Sequence, residues 1–178
     1  MLILNFHPFP NLETERLLLR QLAQSDETEV FFLRSAERIA PYMDRPKAKS
    51  LKEAQNFIQR INAQVAANEV IFWGITLKTE IKLIGTICLW QISRSKASAE
   101  VGYELHPDFQ GQGIMQEALK AVLNFGFEQM KLQLINATVS PENQPSIKLL
   151  EKFHFKLSKK EEEENTVLYQ LSASHPDF

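Results

Sequence analysis

The sequence holds a single cysteine, Cys88, in its 178 residues. That scarcity excludes an internal disulfide and any multi-cysteine metal site. Cys88 sits in the apolar run Leu83-Ile84-Gly85-Thr86-Ile87-Cys88-Leu89-Trp90, where a thiol behaves as a small hydrophobe, so a core residue is expected and not a nucleophile. Long hydrophobic runs are also missing: no stretch approaches the ~20 apolar residues of a membrane span. The start, Met1-Leu2-Ile3-Leu4-Asn5-Phe6-His7-Pro8, has no positive segment and no long apolar core, so no signal peptide is expected and a cytoplasmic location is. Charge of one sign is lacking too. At a net charge of -2, no global field recruits nucleic acid or anionic lipid, and neither partner is expected. The four histidines, His7, His106, His154 and His175, show no metal-ligand spacing, so no metal is expected. No P-loop string, G-x-S-x-G elbow or H-E-x-x-H pair occurs.

What remains is ordinary for one soluble domain with one core: 44% hydrophobic and 24% charged residues, with no repeat and no linker. A strand is expected over Thr14 to Leu22. Ser25 is the expected cap of a helix with Asp26, Glu27 and Glu29 in its first turn and Val30, Phe31 and Leu33 buried. Pro41 and Pro46 frame a loop from Ala40 to Lys49. Ser50 caps an amphipathic helix whose apolar positions are Leu51, Ala54, Phe57, Ile58, Ile61 and Val65. Ile71 to Leu77 and Ile81 to Trp90 read as a hairpin, and Ser98 to Leu105 as a third strand. A helix from about Ile114 to Met130 followed by a strand from Leu132 to Val139 makes a βαβ unit with parallel strands. A short helix, Ser146 to Lys152, precedes closing strands Phe155 to Ser158 and Thr166 to Leu171, joined by a solvated acidic turn, Glu161 to Glu164. The order is that of a mixed α/β domain.

The informative segment runs Val101-Gly102-Tyr103-Glu104-Leu105-His106-Pro107-Asp108-Phe109-Gln110-Gly111-Gln112-Gly113-Ile114-Met115. A strand ends, a glycine-containing loop follows, and a helix begins. Helix N-termini leave amide N–H groups unpaired and carry partial positive charge. Glycine lets backbone approach an anion closely, so a diphosphate can be held here without a lysine. The third glycine of a dinucleotide fingerprint would fall at Gln116, so that motif fails. Spacing alone implies an anion at a helix start, or a plain glycine turn.

Gln110-x-x-Gly113-x-Met115 resembles the Q/R-x-x-G-x-G/A pyrophosphate signature of the GNAT acetyltransferases. Met115 departs from the usual small last residue, as in the ribosomal-protein N-terminal acetyltransferase (RimJ/RimL-like) branch. Glu117-Ala118-Leu119 and the opening Leu12-Glu13-Thr14-Glu15-Arg16-Leu17-Leu18-Leu19-Arg20 also resemble that branch. So does Asn143-x-x-Ser146-x-x-Leu149-Leu150-Glu151-Lys152-Phe153-His154-Phe155, similar to the family's N-x-x-S…L-x-E-K-x-G-F, with His154 in place of glycine. The resemblance implies the GNAT fold, a mixed and mostly antiparallel sheet whose parallel central strands splay, and acetyl-CoA as co-substrate. It implies that Leu105 binds the pantetheine arm through its backbone, and that Gln110, Gly111, Gln112, Gly113, Ile114 and Met115 hold the diphosphate. Asn143 would bond the arm, and Ser146 would lie beside the sulfur. A homodimer is plausible for this branch.

Acetyl transfer to an amine needs a neutral nucleophile, donors for the oxyanion, and a donor for the leaving thiolate. A backbone N–H near Leu105 serves the second need. Many GNAT enzymes meet the third with a tyrosine; the matching position here is Leu150, which leaves Ser146, unless Ser146 is simply a first-turn residue of a helix capped by Asn143. Glu100 is the candidate base, between Ala99 and Val101, where burial raises a carboxyl pKa; the plainer alternative is an exposed strand carboxylate. Alternation places Glu104 on Glu100's face and Tyr103 on the other. His106 is expected to be solvated, and His154 a tolerated turn residue. An α-amine of pKa ~7.7–8 is roughly a tenth neutral at pH 7, against ~0.04% for lysine, a gap of about 3.5 kcal/mol. A protein N-terminal α-amine, attacking directly in a ternary complex, is therefore the favoured acceptor. A small molecule (polyamine, amino acid or antibiotic) and a non-catalytic CoA-binding module are the rivals.

Overall fold

The computed structural model describes residues 1–35, 47–161 and 165–174. Eight strands form one sheet: β1 (Leu12–Glu13), β2 (Leu17–Arg20), β3 (Ile71–Leu77), β4 (Leu83–Ser93), β5 (Ser98–Leu105), β6 (Leu134–Val139), β7 (Lys156–Glu161) and β8 (Thr166–Ser172), in the order β1-β2-β3-β4-β5-β6-β8-β7. Every neighbouring pair is antiparallel except β5 and β6. The helices are α1 (Glu27–Ser35), α2 (Leu51–Ala66), α3 (Ile114–Asn124) and α4 (Gln144–Lys152). This is the mixed α/β architecture that the order of elements predicts.

Both faces of the sheet are covered. On one, Phe57 of α2 meets Phe72 of β3 edge-on, with ring centres 5.7 Å apart. On the other, Trp73 packs edge-on against Phe125 at 5.3 Å, just past α3. Alternation along the strands keeps the two sets apart: Leu89, Val101 and Tyr103 share Trp73's face, while Cys88, Glu100 and Glu104 share Phe72's. The α3 helix continues through a wider turn, Phe125–Gln129, in which the Met130 amide donates to the Phe125 carbonyl. Gly126 in that turn brings the backbone against Leu89 and Ile135, where a side chain would crowd both.

Several boundaries differ from expectation. Ser25 lies inside a 3-10 turn, Gln24–Asp26, and does not cap α1. Asp26 is instead buried, taking the Ala23 amide at 2.7 Å and both terminal nitrogens of Arg20 at 2.8 Å. Burying a carboxylate demands such partners, and the sequence pattern around Ser25 carries no sign of them. Ser50 does cap α2, accepting from the Glu53 amide. The loop expected over Ala40 to Lys49 is described only from Lys47 onward, and the acidic turn lies largely outside the described residues.

The parallel pairing of β5 with β6 is brief. It joins Ser98, Ala99 and Glu100 to Leu134, Ile135 and Asn136, and there it ends. Beyond Glu100, β5 stays paired with β4 alone, as far as the His106 amide on the Ile84 carbonyl at 2.8 Å. Gly85 permits that last approach: a Cβ there would stand 2.6 Å from the Glu104 carbonyl oxygen. Gly85→Ala should therefore force β4 and β5 apart at the fork. A loss of about 1–3 kcal/mol of stability in urea unfolding is expected, and a wild-type midpoint would refute the close approach.

Candidate active site

The fork between β5 and β6 opens into a cleft of about 410 Å³. It is lined by Tyr103, Glu104 and Leu105 of β5, by Phe109, Gln110, Gly111, Gly113, Ile114, Met115 and Gln116 of the loop and α3, and by Asn143, Pro145, Ser146 and Leu149 at α4. Most of the residues singled out in the sequence thus meet around one space. Gln112 and Glu100 are not in the lining.

The loop owes its shape to two glycines. Gly111 and Gly113 have φ of +72° and +74°, a region that costs a side-chain-bearing residue strain. Gly113 then occupies the cap position of α3 and no side chain caps the helix. The contrast with α2 and α4 is plain: Ser50 and Asn143 cap those, each stabilising its helix by about 1 kcal/mol. The amides of Gly111 through Gln116 donate to no partner among the described residues. Gln110 differs, since its amide goes to the Pro107 carbonyl and its side chain donates to the Leu105 carbonyl at 3.1 Å.

A clasp from the chain's beginning holds this loop. The Glu117 carboxylate, in the first turn of α3, accepts from the Thr14 hydroxyl, the Arg16 amide at 2.8 Å and the Arg16 Nε at 2.7 Å. Arg16 also donates to the Gln112 carbonyl at 3.0 Å. Burial opposes ionisation of Glu117, but these bonds outweigh it and hold the carboxyl below its usual range. The opening block and the Glu117 block, far apart in sequence, are one structural unit. Gln112 serves here: its backbone anchors Arg16 and its side chain returns to the Asp108 carbonyl.

The free edge of β5 forms the second wall. Because His106 and Ile84 are a bonded pair, alternation turns the N–H and C=O groups of Val101, Tyr103 and Leu105 away from β4 and toward the fork. The Leu105 carbonyl is taken by Gln110; its amide is not.

Side chains on β5 divide by face. Glu100, half-buried, sits at the last pair before the fork and reaches toward Thr138 of β6. Burial raises its pKa, and the Thr138 hydroxyl and amide offset this only in part. Glu104, on the same face, is buried and accepts from the Thr86 hydroxyl at 3.2 Å. Tyr103 projects on the opposite face into the cleft. Its hydroxyl is buried without a well-formed hydrogen bond among the described residues, and burial pushes its pKa up to about 12 against a weaker, lowering influence from Ser146. Sequence alone passes Tyr103 over because it ties the site to Glu100's face, whereas Tyr103, which alternation puts on the other face, lines the cleft and Glu100 does not.

Three other positions are informative. Asn143 spends its side-chain oxygen on the Ser146 amide at 3.2 Å, so only its amide nitrogen remains for a ligand. His106 is not simply solvated: it stacks on Phe32 of α1 at 4.4 Å and its Nδ1 accepts from the Asp108 amide. His154 adopts φ +64° just after α4, which explains why glycine suits that position.

Comparison with known proteins gives the family and supports the fold. A model of the acetyltransferase (GNAT) domain matches residues 16–156. The chain is 33% identical over 147 residues to the uncharacterized N-acetyltransferase YoaA of Bacillus subtilis, covering 83% of each protein. The structure superposes on the ribosomal-protein-S5-alanine acetyltransferase from Vibrio fischeri with a TM-score of 0.80, at 24% identity, over 93% of this chain and 97% of that one. It superposes on a RimL ribosomal L7/L12 α-N-protein acetyltransferase in complex with coenzyme A with a TM-score of 0.81, at 20% identity, over 92% and 98%.

Gly113→Glu sets a carboxylate among the free amides and forces a side chain into positive φ. Calorimetric titration of that variant with acetyl-CoA should show binding weakened by ~100-fold or more, since repulsion and strain act together. Wild-type affinity would show that the loop is not the anion site.

Proposed function

Since the chain belongs to the GNAT acetyltransferase family, we propose that it transfers the acetyl group of acetyl-CoA to a protein N-terminal α-amine, in a ternary complex without an acyl-enzyme. The observation that carries this reading is the run of free amides at the uncapped start of α3, opening onto the same cleft as the unpaired edge of β5. Those amides suit a diphosphate: they are fixed donors at the positive end of a helix dipole. The strand edge suits an amide-containing arm, which can bond to it as a further strand would. The amide of Leu105 or a neighbour is the donor for the oxyanion.

The acceptor would come from the other face, that of Glu100 and Glu104. Two carboxylates there favour an approaching ammonium, and one of them must remove its proton. Glu100 is the base in this reading, acting through water, because it stands three residues from Tyr103 along β5, about 10 Å. The amine then attacks the carbonyl, the C–S bond breaks, and the sulfur keeps the electron pair. An α-amine fits better than a lysine because it gives up its proton for about 3.5 kcal/mol less. The names of the RimL and S5-alanine acetyltransferases, which act on ribosomal proteins, point the same way.

Two measurements test this. A panel of free-α-amine peptides, lysine-only peptides, polyamines and amino acids, assayed by thiol release from acetyl-CoA, should give the highest kcat/KM with the α-amine peptides. Preference for polyamines or amino acids would reassign the acceptor, and acetyl-CoA binding without thiol release would leave a binding module. The pH profile tests Glu100. A base works deprotonated, so kcat/KM should rise through a pKa lying above the ordinary glutamate range. Glu100→Gln should remove that limb and lower turnover about 100-fold; an unchanged limb would eliminate Glu100.

A further inference from the structure

No cation lines the cleft among the described residues. The only charged group in the lining is Glu104, whose side chain belongs to the opposite face of β5. Negative charge that develops on a leaving sulfur must therefore be met by neutral donors. The position of the family's tyrosine is Leu150, fully buried in the core and without a hydroxyl. A different phenol is nevertheless at hand. Tyr103 enters from the strand, its hydroxyl buried and unsatisfied, and Ser146 faces it from the first turn of α4. A buried hydroxyl left without a bond costs about 1–3 kcal/mol, which a fold tolerates where a ligand completes the arrangement.

We propose that Tyr103 is a positioning residue for the leaving group: its phenol donates to the Ser146 oxygen and thereby fixes the Ser146 hydrogen on the sulfur of CoA. This inference rests on the acetyltransferase reading above. Rotation of the Ser146 side chain completes the Tyr103 bond, and the pair becomes a two-membered donor chain ending at sulfur. Neither hydroxyl is consumed. The C–S electron pair stays on sulfur, the amine's surplus proton leaves by way of Glu100, and solvent protonates the thiolate. The high pKa of Tyr103 suits the task, since a phenol that stays protonated at neutral pH is a dependable donor and a poor acid.

The test needs only CoA. The thiol of CoA bound to the full chain is titrated by its thiolate ultraviolet absorbance, alongside free CoA. In the wild type the bound thiol should titrate at lower pH than the free one. Tyr103→Phe, which keeps the ring, and Ser146→Ala should each raise that value by about one pKa unit, ~10-fold in the thiolate equilibrium. The double variant should go no further than the more affected single, because the two residues form one chain. Ser146→Thr, which retains a hydroxyl, should restore most of the effect. An unmoved thiol in Tyr103→Phe, or shifts that add in the double variant, would overturn the proposal. If Tyr103→Phe does not fold, Tyr103→Met, which also lacks the hydroxyl, is titrated in its place, and a wild-type titration there overturns the proposal. CoA that fails to bind the wild-type chain overturns the acetyltransferase reading itself; CoA that binds with an unperturbed thiol overturns this inference alone.

Discussion

Two parallel strands that part after three residue pairs set the conditions for everything else. A sheet interior normally leaves no backbone group unpaired, because a buried and unsatisfied N–H or C=O is costly. Here β5 and β6 separate beyond Glu100 and Asn136, and β5 alone carries on to Leu105. Its odd-numbered residues then present a bonding edge in the middle of a sheet, where such edges otherwise do not occur. The loop that follows turns at once into α3, so helix dipole and strand edge address one space. Gly85, Gly111 and Gly113 are the local conditions for that turn: the first admits close strand approach and the other two allow left-handed backbone.

The site is built almost without charge. The cleft presents mostly amides, carbonyls and hydroxyls, while most of the charged groups sit around it. Arg16 and Glu117 neutralise each other behind the loop, and Arg20 and Asp26 do so under α1. In the proposed reading, such neutral, preorganised dipoles suit a diphosphate that leaves after each turnover, because a cationic clamp would hold it longer. In that reading, the half-buried Glu100 on the other face is the carboxylate left for the incoming amine.

Much of this was legible in the sequence, for identifiable reasons. The α3 pattern from Ile114, the Ser50 cap and the glycine loop are local signals, each set by a few neighbouring residues. The pairing of the opening block with Glu117 was not legible, because hydrogen bonds spanning a hundred residues leave no periodicity. Ser25 misleads for a related reason: its neighbour Asp26 looks like a first-turn carboxylate, whereas Arg20 draws it into the interior. Tyr103 was visible as a residue, and even its face was visible. Its meaning depended on a separation of strands that no window of sequence reports.

The separation of Glu100 and Tyr103 onto opposite faces bears on how such a protein can be blocked. If cofactor and acceptor approach from those two sides, the sheet is a partition with a single notch, and each substrate has its own doorway. A compound filling one side leaves the other open, and gains nothing from resembling both reactants unless it is slim enough to thread the notch. The dimensions of the fork, more than the affinity of either half, would then govern inhibitor design.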